Sequence, residues 1–333
     1  MKKLFEPYII AEIGINHEGN ILKAKKLIND AVESGASAVK FQVFETETIL
    51  GPNLNHNKKK KKKLYIKKIA KKLYITNKQI SELRKFSKRK KIDFGCSVFD
   101  KKSLERVIKA KVDYIKIASS DINDLYLLSL VKKNKVPCII SSGMANLSEI
   151  KRAIKVLGNP VVLHCVSSYP CNIKDANLKR INSLKKKLKT KIGYSDHTIG
   201  IDACKLAIMM GANVIEKHFT YDKSRGGDHA LSADKYDMIK LVEFSKNFRS
   251  YYGNGSINPK QKEIKNKKIF RKGLYYAENL KKGKKIEIED LKILRPENNF
   301  KIENYKKILG KVLIKKVKKF DSVNMNHFAY LKR

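Results

Sequence analysis

Two lysines of this 333-residue chain stand inside short apolar runs, where a charged side chain is unusual. Lys40 lies in AVKFQVF and Lys116 lies in YIKIA, and burying an unpaired ammonium group is costly. Ser97, Ser119 and Ser141 occur at the ends of comparable runs. Ammonium groups, hydroxyls and nearby backbone amides together suit a phosphate and also a carboxylate. The pattern therefore predicts an anion-binding site.

Acidic neighbours offer an alternative explanation for these lysines. Glu12 ends the first apolar run, and Asp121 follows the run that contains Lys116. Either carboxylate could pair with a lysine and leave no anion site. Two buried lysines that share their surroundings with several serines favour the anion.

Two histidines follow the last two apolar runs and could bind a metal. His197 and His218 each follow the end of such a run by two or three residues, and imidazole suits Zn, Mn, Fe or Co better than Mg. A single buried histidine would more often be part of the core, but two on adjacent strands favour one shared cation. Ser195-Asp196-His197 is not a hydrolase triad, because consecutive residues cannot converge on one another.

The elements that position these residues follow an alternating pattern. Eight short apolar runs are separated by amphipathic stretches of helical period. The runs are Tyr8–Ile13, Ala38–Phe44, Ile92–Cys96, Tyr114–Ala118, Pro137–Ile140, Pro160–Cys165, Lys191–Tyr194 and Asn213–Glu216. Eight such strand-and-helix units predict an α/β fold, namely a (β/α)8 TIM barrel whose site lies at the C-terminal ends of the strands. A doubly wound open sheet is the alternative, but no GxGxxG follows the first run.

The character of the chain changes after the barrel region. We expect a catalytic barrel over residues 1–255, a linker over 256–268 that is rich in Gly, Asn and charge, and a small domain over 269–333. The sequence of the small domain predicts short strands separated by polar turns. Helix-like stretches occur near 288–291 and 302–309.

A formal net charge of +42 at first suggests a nucleic-acid-binding protein. The excess consists of 64 lysines against 10 arginines, and arginine is the residue that bidentate recognition favours. The lysines are spread along the chain, and the run Lys58–Lys63 resembles a solvated loop. We therefore interpret the charge as a surface property and expect no nucleic-acid partner.

The five cysteines predict neither a disulfide framework nor a zinc ribbon, because their number is odd and no CxxC pair occurs. Such usage fits a reducing, cytoplasmic compartment. No apolar run approaches the length of a membrane span, and the N-terminus lacks the apolar core of a signal peptide.

Several motifs resemble those of the sialic acid synthases, in order along the whole barrel. The tail resembles the antifreeze-like SAF domain of the same family through Arg271–Leu274, Asn279–Gly283, Leu294–Pro296 and Leu309–Lys311. The barrel motifs are IIAEIGINHEG (9–19), VKFQ (39–42), SSGM (141–144), His164-Cys165 with Tyr169-Pro170, GYSDHT (193–198), EKHFT (216–220) and Gly227-Asp228-His229 followed by Leu231-Ser232.

This resemblance implies a transferase that condenses phosphoenolpyruvate with an N-acylated mannosamine-type sugar. The product would be a nine-carbon 2-keto acid, with phosphate released. By position, the resemblance assigns the phosphoenolpyruvate site to Lys40, Ser97, Lys116, Ser119, Ser141 and Ser195. Lys40 and Lys116 would neutralise the anionic co-substrate, and Glu12 or Glu216 would move the proton.

The resemblance also implies a divalent cation on His197 and His218, Mn²⁺ in most members, with Mg²⁺ or Co²⁺ as alternatives. Ser167 stands where some members have asparagine. The acceptor sugar would face Glu12, Gln42, Tyr169, Glu216 and Asp228, and Ser167 is expected to be a further substrate-binding residue. Arg295 would reach the acylamino group from the SAF domain of a second subunit, which implies a domain-swapped homodimer.

Two alternatives within this chemistry remain open. The Gly227-Asp228-His229 stretch favours the neuraminate or legionaminate branch over the pseudaminate branch. A synthase that uses a phosphorylated aldose would need a second basic cluster, which the strand ends lack.

Overall fold

A computed structural model of the chain describes residues 6–45 and 70–329. The lysine run Lys58–Lys63 lies outside these residues. The chain divides into two compact units, Met1–Gly253 and Asn254–Arg333. Among the residues described, no helix is long and apolar enough to cross a membrane.

The first unit is a closed barrel of eight parallel strands, which confirms the predicted fold class. Each strand pairs with its sequence neighbour, and β8 pairs with β1 to close the barrel. The strands are β1 (Tyr8–Gly14), β2 (Ala38–Val43), β3 (Asp93–Val98), β4 (Tyr114–Ile117), β5 (Cys138–Ser141), β6 (Val161–Cys165), β7 (Ile192–Asp196) and β8 (Val214–His218). Their near-complete burial explains why they read as continuous apolar runs.

Helices follow the strands and cover the outside of the barrel. The helical period of α1 buries Ala24, Leu27, Ile28 and Ala31 on one face, as the spacing predicts. The helices of this unit are α1 (Ile21–Glu33), α2 (Asn77–Arg89), α3 (Lys101–Lys109), α4 (Leu125–Lys133), α5 (Leu147–Leu157), α6 (Lys179–Lys187), α7 (Asp202–Met209), α8 (Asp228–Leu231) and α9 (Lys235–Tyr252). Polar side chains begin several of them; for example, the Asn20 side chain accepts hydrogen bonds from the amides of Leu22 and Lys23.

The β1–β2 ladder is irregular between Glu12 and Gly14, where its register shifts. Gly14 has a φ of 53° there, which favours glycine. A Cβ at this position would lie 3.1 Å from Glu12 Oε1 and 3.3 Å from Gln42 Nε2. Such bulges commonly redirect a side chain beside a functional site, and this one lies at the end of the strand that carries Glu12.

The second unit has its own small apolar core, which includes Leu274, Tyr276 and Phe328. Strands β9 (Gly273–Tyr276) and β10 (Leu291–Leu294) pair antiparallel. Helix α10 (Gln261–Phe270) falls largely within the stretch interpreted as a linker. It has no buried residue, so the sequence has no apolar periodicity from which the helix could be predicted.

The structure also corrects one local expectation in this unit. Residues 302–307 form a 3₁₀ helix, near the expected helix-like stretch. The other stretch, near 288–291, is not helical but turns into β10. Asp290 stabilises this turn, because its carboxylate accepts a hydrogen bond from the Glu287 amide at 2.8 Å.

Candidate active site

A cavity of about 310 Å³ opens among the C-terminal ends of the barrel strands. All of the predicted site residues line it except Ser167 and Arg295. The lining residues are Glu12, Lys40, Gln42, Ser97, Phe99, Lys116, Ala118, Ser119, Ser120, Ser141, Cys165, Tyr169, Ser195, His197, Glu216, His218 and Asp228. Strand ends that are far apart in sequence therefore build one pocket.

The two lysines lie at the base of this pocket, and both are almost fully buried. Lys40 donates a hydrogen bond to Ser97 at 2.8 Å and lies 3.2 Å from Glu12 and 3.5 Å from Glu216. Lys116 contacts both oxygens of Glu216, at 2.8 and 3.0 Å. The predicted alternative, a lysine paired with an acidic neighbour, therefore holds for Lys40 and Glu12. Asp121 contacts neither lysine, whereas Glu216 contacts both.

The two glutamates of the pocket differ in their surroundings. Burial would raise the pKa of Glu216, but Lys116 and Lys40 outweigh it and hold the pKa below its usual range. Ser195 donates a further hydrogen bond to Glu216 at 2.9 Å. Burial dominates at Glu12 and raises the pKa of that carboxyl despite Lys40. Environments that separate two pKa values in this way suit one anionic anchor and one proton carrier.

Serine hydroxyls at or after the ends of β4, β5 and β6 remain available to a ligand. The buried Oγ atoms of Ser141 and Ser167 have no hydrogen-bond partner, and Ser119 Oγ accepts from the Gly143 amide at 3.1 Å. A Cβ at Gly143 would come within 2.3 Å of Ser167 Oγ and 2.7 Å of Ser119 Oγ. Ser167 therefore lies behind the lining, next to Ser119, and its hydroxyl belongs to the same polar group.

The two histidines stand side by side, with ring centroids 5.4 Å apart. His197 Nδ1 lies 2.7 Å from the Val166 carbonyl oxygen, a contact that directs the other ring nitrogen away from that carbonyl. Burial, helped by His197 and Lys40, lowers the pKa of His218 well below its usual value, so its ring is neutral at neutral pH.

This pair fits two ligands of a borderline divalent cation. A backbone carbonyl on the second ring nitrogen of His197 is also typical of metal-bound histidine. Glu12 Oε2, a buried oxygen without a hydrogen-bond partner, lines the same pocket. The residues described contain no cluster of three or more His, Cys, Asp or Glu placed to hold a metal.

Two further loops border the histidines. The Tyr169 ring packs against His197 with centroids 4.0 Å apart and ring planes tilted by 37°. Tyr169 is 56% exposed, as expected for a residue at the pocket mouth. Asp228 begins α8, and burial raises the pKa of its carboxyl. Asn16 fixes this region, because its amide donates to the Phe219 carbonyl and to Ser232 Oγ.

Several lining residues were not among those predicted to form the site. Phe99, Ala118 and Cys165 are apolar side chains at strand ends, which sequence reasoning assigns to the core. The Cys165 Sγ lies 3.8 Å from His197 Nδ1. Alternation could have identified Phe99, because it follows Ser97 by two residues and so shares its face. Arg295 belongs to the second unit, and its place at the acceptor sugar stays a prediction.

Comparison with known proteins agrees with this geometry. The NeuB family matches residues 27–257, and the SAF domain matches residues 271–327. An N,N'-diacetyllegionaminic acid synthase of Campylobacter jejuni is 37% identical over 93% of this chain and 96% of its own length. A pseudaminic acid synthase of the same organism is 34% identical, with 98% and 97% covered.

A solved structure adds to these relatives. The N-acetylneuraminic acid synthetase of Leptospira borgpetersenii, crystallised with citrate, is 35% identical with a TM-score of 0.71, over 78% of this chain and 90% of that one. The barrel, its pocket and the matches along both units lead to one conclusion. The chain belongs to the NeuB family of phosphoenolpyruvate-condensing synthases and carries a SAF domain after its barrel.

Proposed function

We propose that this barrel condenses phosphoenolpyruvate with an N-acylated mannosamine-type sugar to give neuraminate or legionaminate, with release of phosphate. The observation that carries the proposal is the base of the pocket, where two buried lysines lie in one cavity with the Ser141 hydroxyl, which has no hydrogen-bond partner. A trianionic co-substrate would supply the acceptor that Ser141 lacks and would compete with Glu216 for the two lysines.

Phosphoenolpyruvate would occupy the end of the pocket lined by β2 to β5 and Ser195. Lys40 and Lys116 would neutralise its charge, and serine hydroxyls would donate hydrogen bonds to its phosphate and carboxylate oxygens. The serines assigned to this role are Ser97, Ser119, Ser141 and Ser195. A buried, preorganised set of donors stabilises developing negative charge more strongly than water does.

The two glutamates would have different roles, one in positioning the lysines and one in proton transfer. Glu216 holds both lysines in place through its contacts at 2.8, 3.0 and 3.5 Å. Glu12 has one oxygen without a partner and a raised pKa, so it retains a proton more readily than Glu216. We assign Glu12 as the proton carrier and Glu216 as the anchor of the lysines.

The acceptor would bind at the open end of the pocket. Gln42, Tyr169 and Asp228 line the pocket and would face the sugar, and Ser167, which lies beside Ser119, would be a further substrate contact. Arg295 would come from the SAF domain of a second copy, so a domain-swapped homodimer is part of this proposal. Identities of 37% to a legionaminic acid synthase and 34% to a pseudaminic acid synthase do not separate the branches. The choice of the neuraminate or legionaminate branch therefore depends on the Gly227-Asp228-His229 stretch.

His197 and His218 would hold the divalent cation. Mn²⁺ suits two imidazoles with oxygen ligands, with Mg²⁺ or Co²⁺ as alternatives, and when bound it would act as a Lewis acid toward the acceptor's carbonyl oxygen. A cytoplasmic location also belongs to the proposal, because all five cysteines are free thiols.

The test is direct. The purified chain is incubated with phosphoenolpyruvate and Mn²⁺, and with either N-acetylmannosamine, 2,4-diacetamido-trideoxymannose or a phosphorylated pentose. We expect phosphate release and a nine-carbon acid, seen by mass, with one of the first two sugars. Turnover of the phosphorylated sugar alone would favour a different synthase, and absence of product with all three would overturn the proposal.

A further inference from the structure

A fully buried ion pair lies directly behind the two histidines. Lys217 Nζ contacts Asp196 Oδ2 at 2.8 Å, and both side chains are completely inaccessible to solvent. Neither residue lines the pocket. The pair therefore has no part in the substrate contacts described above.

Alternation along the strands explains where the pair lies. Asp196 and Lys217 face each other across the β7–β8 ladder. Ser195 and Glu216, one position earlier, line the pocket. Because successive side chains of a strand point to opposite faces, Asp196 and Lys217 point outward, into the layer between the barrel and its helices.

The pair is tied to the backbone on both sides of His197. Asp196 Oδ1 accepts hydrogen bonds from the Thr198 amide and hydroxyl, both at 2.9 Å, and from the Tyr194 hydroxyl at 3.0 Å. Lys217 donates a second hydrogen bond to the Thr198 carbonyl oxygen. Through one ion pair, the residues that flank His197 are joined to the residue that precedes His218.

Stability alone is a weak explanation for this arrangement. A buried ion pair is costly to desolvate, and apolar side chains of similar volume often replace such a pair without loss of stability. Apolar side chains would not, however, reproduce the hydrogen bonds to Thr198. What the ion pair adds is a fixed geometry between the ends of β7 and β8.

We propose that Asp196 and Lys217 are positioning residues, whose ion pair sets the separation and orientation of His197 and His218 for a shared divalent cation. The inference rests on the proposed function, because it takes these two histidines as the metal ligands. It adds residues that bind neither substrate nor metal, and it places them on the outer face of the barrel.

The test compares metal binding with folding. In Asp196→Asn/Lys217→Met both charges are removed together, and the amide oxygen can still accept from the Thr198 amide. Mn²⁺ is titrated into the metal-free full-length protein, and the paramagnetic resonance signal of the free ion is followed. We expect binding about 10- to 100-fold weaker than in the wild type, a loss of the size seen when a residue that orients a metal ligand is removed, with a melting temperature within a few degrees.

Matched variants separate positioning from packing. Cys204→Ala removes a thiol 3.3 Å from Asp196 Oδ2 but keeps the ion pair, so it should lower the melting temperature and leave Mn²⁺ affinity unchanged. In the double variant the KM for phosphoenolpyruvate should stay near the wild-type value while kcat falls, because Lys40 and Lys116 lie on other strands. Should the double variant not fold, Asp196→Asn alone should show the weaker Mn²⁺ binding.

The outcomes also distinguish the two proposals. Wild-type Mn²⁺ affinity in a folded Asp196→Asn/Lys217→Met protein would overturn the positioning role and leave the synthase proposal intact. Equal Mn²⁺ affinity of the wild type and His218→Ala would overturn the metal site, and with it the positioning role. Weak binding in His218→Ala and in the double variant, beside normal binding in Cys204→Ala, supports both.

Discussion

Glu216 accepts hydrogen bonds from Lys116 through both carboxylate oxygens, at 2.8 and 3.0 Å, deep in the barrel. The same carboxylate lies 3.5 Å from Lys40. The charge of each lysine is therefore partly balanced before an anionic substrate arrives. Any anion that binds at the base of the pocket competes with Glu216 for the two ammonium groups.

This competition gives the first prediction. Glu216→Gln should tighten the binding of phosphoenolpyruvate at least about threefold, because a unit negative charge beside the lysines is removed, while kcat falls. Calorimetric titration without acceptor sugar measures the affinity. Asp228→Asn is the matched control, since Asp228 lines the same pocket without contacting either lysine. Unchanged or weaker binding in Glu216→Gln would contradict the competition.

Ser141 provides a second prediction, because its buried hydroxyl has no partner. Ser141→Ala should leave the ligand-free protein as stable as the wild type or more stable, since an unsatisfied polar group costs about 1–3 kcal/mol. It should weaken phosphoenolpyruvate binding about 10- to 150-fold, the effect of one lost hydrogen bond to a charged ligand. Melting temperature and calorimetric affinity are the two measurements.

The neighbouring serine serves as the control for Ser141. Ser142 Oγ donates to the Leu163 carbonyl at 3.0 Å, so Ser142→Ala should lower stability and leave affinity unchanged. The same response from both variants would show that Ser141 has no special relation to the ligand.

Glu12 gives a third prediction, about pH. Burial raises the pKa of this carboxyl, so it stays protonated to higher pH than an ordinary glutamate. If the protonated form donates, kcat should fall as pH rises through that pKa. Glu12→Gln should lower kcat at least about 100-fold and remove this limb from the pH profile, with phosphoenolpyruvate affinity retained. Persistence of the limb in the variant would assign the proton transfer elsewhere.

His17 gives a fourth prediction, about stability. Burial lowers the pKa of this ring from 6.5 to about 4, and its Nδ1 accepts from the Gly19 amide at 2.9 Å. Between those pH values the unfolded chain binds a proton that the folded chain does not, so acidification favours unfolding. From pH 7 to pH 5 this should cost about 2 kcal/mol of the free energy of unfolding.

The measurement for His17 is urea unfolding at both pH values. His17→Gln should lose this part of the pH dependence, whatever its stability at pH 7, because glutamine does not titrate. An identical loss of stability on acidification in the wild type and the variant would mean that other groups account for it.

The barrel could be predicted from the sequence because its strands are buried on both faces. Such strands read as short apolar runs, and the C-terminal ends of parallel strands must meet at one face. Lys40 and His218 could therefore be placed in one pocket although they are far apart in sequence. Glu12 lies opposite Lys40 on β2 and opposite His218 on β8. This register results from closure of the barrel and cannot be predicted from any one apolar run.

Other features depend on information that local patterns do not carry. Asp196 and Lys217 stand beside predicted metal ligands, but their pairing requires the β7–β8 register. The second unit is held by isolated bridges between distant residues, such as Leu280 with Val317 and Tyr275 with Ser322. Helix α10 has no buried face, so no periodicity could reveal it.

The irregularity at Gly14 restricts how this site can evolve. A side chain there would meet both an unfavourable backbone conformation and the filled space beside Glu12 and Gln42. Mutation at position 14 therefore offers no route to a new acceptor preference. Changes in specificity must instead enter through the pocket mouth, at positions such as Tyr169 and Asp228, while the end of β1 stays the same from one variant to the next.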